Sequence, residues 1–288
     1  MSQNTATIGD TQDIEAFRRK LEEADALPSI PTTVLELMDL LNQEDSTNED
    51  LSQVVSQDQG LVARTLKMVN SAGMGLRQQV TSIQQAIGLL GRSQIRQICL
   101  GGGVWDSLQP YAEKANFDLM AFEKHSQTAA EIARVLAERT SHAIPDDVYA
   151  AALLHDIGKF LLLEYDGETY SQTLNRATQE KANLEELEFE TMGWTHPVVG
   201  GWLTDYWELP RPVRETVRWH HHPEERMETE LGPLVGLVSV ANNLAKVVNV
   251  GRSGNPYIAP IGKLLKPLDL KPQDIQEVGE MVKSWQKA

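Results

Sequence analysis

The sequence predicts an all-α protein, a multi-helical bundle, and three observations lead to that fold class. Apolar residues recur at helical spacing through most of the chain, first over residues 34–41. The alternation of apolar and polar residues that is typical of strands is essentially absent. Helix-start signals precede several periodic segments, for example Thr47 with Asp50 three residues later, which matches a capping box.

Composition indicates a folded protein of a reducing compartment. The chain has 288 residues and a single cysteine, Cys99, so it can form neither an intramolecular disulfide nor a cysteine-based zinc cluster. A formal charge of −15 disfavours direct binding to nucleic acid and to anionic membranes. The N-terminus lacks a signal peptide, and no apolar run approaches the ~20 residues that span a bilayer. We therefore expect a soluble, cytoplasmic protein.

The pattern of breaks predicts three regions along the chain. Residues 1–23 are rich in polar side chains and are expected to form a flexible tail. Residues 24–110 are predicted to form an N-terminal helical subdomain, and residues 111–288 a second one that ends in a C-terminal helix. Gly73 is expected to end the third helix, and the glycines at 101–103 to mark a kink or a close helix contact. One helix is expected over 148–163.

Histidines concentrate in the second half of the chain. His155 and Asp156 interrupt a strongly apolar segment, and burying both costs several kcal/mol unless each is hydrogen-bonded or bound to a metal. Imidazole and carboxylate together suit iron, manganese or zinc, and an aspartate can bridge two ions. The metal-ligand candidates are His125, His155, Asp156, His196, His220 and His221.

This series of residues resembles the ligand series of the HD superfamily of metal-dependent phosphohydrolases. The last member of that series is usually an aspartate, and Asn242 stands at the corresponding position here. The subgroup that hydrolyses cyclic dinucleotides carries Gly-Tyr-Pro after its paired histidines, whereas this chain reads PEER at 223–226. That subgroup is therefore a poor match.

Motifs in the first half resemble the HDOD family, whose members are regulatory output modules related to HD domains. They are LPSIP at 27–31, QDQGL at 57–61, LKMVNSA at 66–72, IQQAIGLLG at 83–91 and, further on, WELP at 207–210. Gln59 departs from the pattern, because proline is common there. The resemblance implies an N-terminal helical half, an HD-like helical bundle over 111–288, and a role in bacterial signal transduction that involves no turnover.

Each site residue has an ordinary structural alternative. His155 and Asp156 could be a hydrogen-bonded remnant of an ancestral site, and His125 a partly exposed helix residue. His196 precedes Pro197 and could cap the following helix. Lys159 resembles a residue thought to bind phosphate in HD hydrolases, although a surface lysine is the simpler interpretation.

The run of three histidines at 220–222 limits how many of them can share one ion. Consecutive side chains diverge on any backbone, so at most two can reach the same metal. We rank His221 before His220.

Three functional hypotheses remain open. The first is a signalling module that acts through protein partners without turnover. The second is a metal-dependent phosphohydrolase of nucleotides or phosphoesters, in which Asp156 and Lys159 serve catalysis. The third is a domain that senses a metal ion or a nucleotide without turnover. The metal would be Fe, Mn, Zn or Mg, an empty site is the alternative, and a homo-oligomer is compatible with all three.

Overall fold

The computed structural model describes residues 15, 17–21, 30–43, 45–114 and 117–285. Every regular element in these residues is a helix, which confirms the predicted all-α class. No described helix combines the length and the apolar character that crossing a bilayer requires.

The described residues form two compact units. One is Pro28–Gln109, and the other joins the described part of Met1–Leu27 to Pro110–Ala288. The helices of the first unit are α1 (Thr32–Asn42), α2 (Asn48–Val55), α3 (Gln59–Val69) and α4 (Ile83–Ile98), followed by a π-helical segment (Cys99–Val104) and the start of α5 (Trp105–Lys114).

Local signals in the first unit act largely as predicted. Thr47 and Asp50 form a reciprocal capping box at the start of α2. A Cβ atom at Gly102 would lie 2.6 Å from the Arg64 side chain, so the predicted close contact is confirmed there. Helix α3 ends at Val69, with Asn70 as its C-cap, close to the predicted end. The left-handed stop expected at Gly73 is wrong, because Gly73 lies in a 3₁₀ turn (Ala72–Met74) and the left-handed residue is Gly75, with φ 60°. Ser71, whose backbone is extended, separates this turn from α3.

In the described residues the second unit contains, after α5, one 3₁₀ helix (Pro223–Glu225) and ten α-helices. They are α6 (Leu119–Glu138), α7 (Pro145–Leu154), α8 (Gly158–Tyr165), α9 (Gly167–Glu180), α10 (Leu184–Met192), α11 (His196–Tyr206), α12 (Arg211–Trp219), α13 (Gly232–Val248), α14 (Gly262–Leu265) and α15 (Pro272–Trp285). Helices α6 and α13 pack closely on each other and on α7. Phe122 of α6 and Phe160 of α8 meet edge to face at 5.1 Å within this core.

Part of the predicted N-terminal tail belongs to the second unit. Residues 17–21 are helical, and Phe17 and Leu21 are 1% and 2% exposed. The Phe17 ring stacks on Tyr165 with the ring centroids 4.6 Å apart, and it also contacts Trp194. The expected flexible tail is therefore wrong for 17–21, since these contacts offset the cost of ordering the backbone. Residues 1–14, 16 and 22–29 lie outside the described part of the chain.

The single helix expected over 148–163 is divided in two. Helix α7 ends at Leu154 and α8 begins at Gly158. In between, the amide N–H groups of Ile157 and Lys159 donate to the carbonyls of Leu154 and Asp156, three residues earlier in each case. These tighter turns place His155 and Asp156 at the junction of two helices rather than within one.

Candidate metal centre

The Asp156 carboxylate lies at the centre of a buried cluster of polar side chains. Its Oδ1 is 3.1 Å from His196 Nε2 and 3.4 Å from His220 Nε2. Its Oδ2 is 3.4 Å from His155 Nε2 and 2.5 Å from Lys159 Nζ. All five residues are at most 1% exposed. The junction of α7 and α8, the start of α11 and the end of α12 thus come together around one carboxylate.

Three histidines direct their Nε2 atoms toward this carboxylate. Nδ1 of His155 lies 2.6 Å from the carbonyl oxygen of Ala152, and Nδ1 of His220 lies 3.1 Å from that of Val217. Nδ1 of His196 lies 2.6 Å from Glu188 Oε2. These oxygens can only accept, so in the neutral ring each Nδ1 carries the proton and each Nε2 keeps its lone pair. Metal-binding histidines are held in the same way.

Three buried atoms of the cluster have no hydrogen-bond partner in the protein, among the residues that the structure describes: His155 Nε2, His220 Nε2 and Asp156 Oδ1. Leaving such atoms unsatisfied costs about 1–3 kcal/mol each. They are two imidazole lone pairs and a carboxylate oxygen, which are ligands that a divalent transition-metal ion accepts. The residues present therefore fit a metal ion.

Two groups of donors share Asp156. The first comprises Asp156, His196, His220 and His221, and the second comprises His125, His155 and Asp156, with the donor atoms of each group within 4.8 Å of one another. In the first group, Nε2 of His196 and Nε2 of His221 are 3.1 Å apart. Two nitrogens about 2.1 Å from one ion lie about 3 Å apart when the angle at the ion is near 90°. The first group thus has a spacing that one ion can bridge.

The second group is more heavily engaged with protein atoms. His125 Nε2 lies 3.1 Å from Asn242 Oδ1. Lys159 Nζ donates to Asp156 Oδ2 and, at 2.8 Å, to the carbonyl oxygen of Ser253. One nitrogen and one oxygen of this group therefore already have partners.

The three consecutive histidines separate as their backbone geometry requires. His220 and His221 face the cluster, whereas the His222 side chain is 52% exposed and its Nε2 lies 3.0 Å from Glu185 Oε2. His221 is partly exposed, unlike the other histidines near Asp156. The site is therefore most accessible beside His221.

Burial keeps most of the imidazoles neutral. It lowers the pKa of His125 to about 3, with His155 nearby acting in the same direction. It lowers the pKa of His220 to about 4, although the Asp156 carboxylate opposes this. Burial, with His220 close by, also holds the pKa of His221 well below its ordinary value. At neutral pH these rings are in the form that a metal requires.

The carboxylate stays ionised despite its burial. Burial alone would raise the pKa of Asp156, but His155 and Lys159 together hold that pKa well below its ordinary value. Asp156 therefore offers a negative charge to any cation in the cluster.

The ordinary structural roles considered for three of the site residues are wrong. His125 is 1% exposed and Lys159 is 0% exposed, so neither is a surface residue. His196 is the first residue of α11, and its own amide N–H donates to Glu188 Oε2 at 2.9 Å. It therefore receives a cap from Glu188 rather than acting as one.

Two residues of the site were not predicted from the sequence. Glu188 is 0% exposed and contacts His196. Lys246 lies one turn after Asn242 on α13, and burial lowers its pKa to about 8 while the charge of Asp156 opposes this. Glu188 could have been found, because it follows Leu184 and Leu187 at helical spacing and so occupies the buried face of α10.

Comparison with known proteins identifies relatives for most of the chain. The family model of the HDOD domain matches residues 27–223. A protein of Treponema pallidum (strain Nichols), named only as uncharacterized, is 26% identical over 225 residues, which are 77% of this chain and 42% of that protein. The chain therefore spans about two fifths of that relative's length.

Solved structures share the fold. An HDOD domain protein of unknown function from Geobacter sulfurreducens has a TM-score of 0.75 and 25% identity, covering 96% of this chain and 95% of that one. A Marinobacter aquaeolei VT8 protein, provisionally named a signal transduction protein, has a TM-score of 0.75 at 19% identity, covering 97% and 65%. A Shewanella amazonensis SB2B protein, provisionally named a phosphohydrolase, has a TM-score of 0.67 at 22% identity, covering 92% and 93%.

Proposed function

Because this chain belongs to the HDOD family, we propose that it is a cytoplasmic bacterial signalling module that binds one divalent metal ion and acts through protein partners without turnover. The observation that carries the metal is the common orientation of His196 and His220, whose Nε2 atoms face Asp156 while their Nδ1 atoms are hydrogen-bonded elsewhere. We assign the ion to Asp156, His196, His220 and His221. Three imidazoles favour zinc, iron or manganese over magnesium, which prefers oxygen ligands.

The proposal of a single ion depends on Lys159. Its ammonium group lies 2.5 Å from Asp156 Oδ2, which is the carboxylate oxygen on the side of His155 and would be offered to a second ion. A positive charge at that oxygen repels a second cation and already neutralises the carboxylate there. Lys159 thus takes the place of a second metal, rather than serving a phosphate.

The proposal of no turnover depends on Asn242 and on access. Asn242 is neutral and lies 3.1 Å from His125 Nε2, so it supplies no anionic ligand to a second ion. Of the four proposed ligands, three are buried, and His221 is partly exposed. A phosphoester would have to approach the ion beside His221, the one proposed ligand that is not buried. Signalling proteins that recognise the module would instead respond to whether the ion is bound.

The first test is the metal content of protein purified without a polyhistidine tag and without chelators. We expect about one zinc, iron or manganese ion per chain, and its loss in the His196→Ala variant. His142→Ala is the matched control, since His142 pairs with Asp269 away from the cluster. No metal in the parent protein would overturn the metal proposal.

The action through partners needs a separate test. Cross-linking in cells, followed by comparison of the parent protein with Asp156→Asn, should recover partner proteins whose yield changes with metal binding. Equal recovery with both proteins would contradict a role for the ion in partner recognition.

A second candidate function is a metal-dependent phosphohydrolase. The second donor group, with His125 and His155 beside the first, favours it, because a carboxylate that bridges two ions is the usual arrangement in such enzymes. It requires two ions per chain and the release of phosphate from a phosphoester. The bound metal and the release of phosphate must both be lost in the Asp156→Ala variant while the protein stays folded.

A further inference from the structure

A fully buried carboxylate lies behind the proposed metal ligands. Glu188 of α10 is 0% exposed. Its Oε1 accepts a hydrogen bond of 2.7 Å from the hydroxyl of Tyr170, a buried residue of α9. Its Oε2 accepts from the His196 backbone N–H at 2.9 Å and from His196 Nδ1 at 2.6 Å. Both oxygens are therefore committed, and the carboxylate cannot rotate without breaking one of these bonds.

These contacts determine the tautomer of His196. A carboxylate oxygen only accepts, so in the neutral ring Nδ1 carries the proton and Nε2 keeps its lone pair. The bond from the His196 backbone fixes the start of α11, and the bond from Nδ1 fixes the ring plane. The two together direct Nε2 to a point 3.1 Å from Asp156 Oδ1 and 3.1 Å from His221 Nε2.

The negative charge of Glu188 has no positive counterpart while His196 is neutral. Within the described part of the chain, His196 is the only basic side chain within ion-pair distance of Glu188. A buried carboxylate is costly unless a positive charge balances it. A metal ion on Nε2 of His196 would provide such a charge through the imidazole ring. Metal binding and the burial of Glu188 should therefore support each other.

We propose that Glu188 is a positioning residue that sets the tautomer and the orientation of His196 for binding a divalent metal ion through Nε2, and that Tyr170 holds Glu188 in place. Neither residue contacts the ion. The claim that Glu188 strengthens metal binding rests on the proposed function. The claim that Glu188 sets the tautomer of His196 concerns the metal-free protein and does not depend on that function.

The affinity test compares three variants by competition with a chromophoric chelator, using Zn²⁺ as the probe. Glu188→Gln keeps the shape and removes the charge, and we expect it to bind Zn²⁺ about 10–100-fold more weakly. Tyr170→Phe should weaken binding less. Glu190→Gln is the control, because Glu190 is exposed on the same helix and pairs with Arg176. Thermal unfolding of the metal-free variants shows whether each remains folded.

A merely structural role predicts a different result. Glu188→Gln would then lower the melting temperature but leave the Zn²⁺ dissociation constant within about twofold of the parent, and the proposal would be wrong. Equal weakening by Glu190→Gln would also overturn it.

The second measurement needs no metal. Nitrogen-15 NMR of the imidazoles in metal-free protein, at a pH where His196 is neutral, should show its proton on Nδ1. A proton on Nε2 would overturn the inference even if the protein binds metal. If the proton is on Nδ1 and the parent protein binds no Zn²⁺, the proposed function fails while the positioning of His196 by Glu188 stands.

Discussion

Gly158 and His196 are in backbone contact: a Cβ atom at Gly158 would lie 2.0 Å from the carbonyl oxygen of His196. The same atom would lie 2.7 Å from the amide nitrogen of Gly200. Helix α8 therefore touches the first turn of α11 at a distance that only glycine allows. Because Asp156 lies two residues before Gly158, this contact holds the backbone next to the carboxylate close to the backbone of His196.

Replacing Gly158 by alanine should damage both stability and the site. The methyl group would meet backbone atoms that cannot move away as a side chain can, so we expect a loss of at least about 1–3 kcal/mol in the free energy of unfolding. The separation of α8 from α11 should also weaken metal binding. Urea unfolding and the Zn²⁺ dissociation constant measure the two effects.

Gly279→Ala is the matched control for that substitution. A Cβ atom at Gly279 would meet Leu244 Cδ1 at 3.6 Å, an ordinary contact, and the residue lies inside helix α15. We expect no loss of stability, and a gain of up to about 1 kcal/mol from helix propensity. Equal stability of both variants would show that the contact between α8 and α11 is not restrictive.

Lys159→Met tests whether this ammonium group replaces a second ion. Without metal, the variant leaves the buried Asp156 carboxylate uncompensated, which should cost about 3–5 kcal/mol of stability. Added Zn²⁺ should restore that stability and raise the content from about one ion to two per chain. Lys283→Met, on the exposed surface of α15, is the control. An unchanged stoichiometry of one would contradict the role assigned to Lys159.

Stability of the metal-free protein should fall as the pH is lowered below about 6.5. Burial holds the pKa of His125 near 3 and that of His220 near 4 in the fold, whereas both titrate near 6.5 when unfolded. The unfolded chain binds more protons between these values, so at pH 5 each histidine costs about 2 kcal/mol relative to pH 8. Glu188 raises the pKa of His196 against the effect of burial, which offsets part of this loss.

Urea midpoints at pH 8, 6 and 5 measure this effect. His125→Gln should flatten the profile, while His142→Gln, which lies outside the cluster, should leave it as steep as in the parent. A midpoint that does not change between pH 8 and pH 5 would show that the buried imidazoles do not control acid stability.

Phe17→Ala should show that the N-terminal segment belongs to the folded unit. Phe17 is 1% exposed and stacks on Tyr165, so truncation should cost about 3–5 kcal/mol if the segment unfolds with the rest. Phe189→Ala is the control, because Phe189 is 51% exposed. Urea unfolding followed by Trp fluorescence should separate the two variants. Similar stabilities would mean that residues 17–21 detach without affecting the unit.

The sequence alone predicted most of the helices, because apolar spacing and capping residues act over one or two turns. The capping box at Thr47 and Asp50 is an example. The sequence also carries the motifs that indicate the family, since each of them is a short run of neighbouring residues. The break between α7 and α8 was missed, since the whole segment is apolar and its periodicity does not distinguish a helix from two helices joined by tight turns.

The arrangement of the candidate site was decided by tertiary structure. A sequence shows that histidines and an aspartate are present, but the direction of a ring nitrogen depends on what its other nitrogen contacts. For His196 that partner is Glu188, on the preceding helix, and for Asp156 Oδ2 it is Lys159, whose burial depends on the fold around it. The sequence by itself determined most of the helices and the family of this protein. Only packing determined which donors converge on Asp156, because that depends on contacts between helices far apart in the chain.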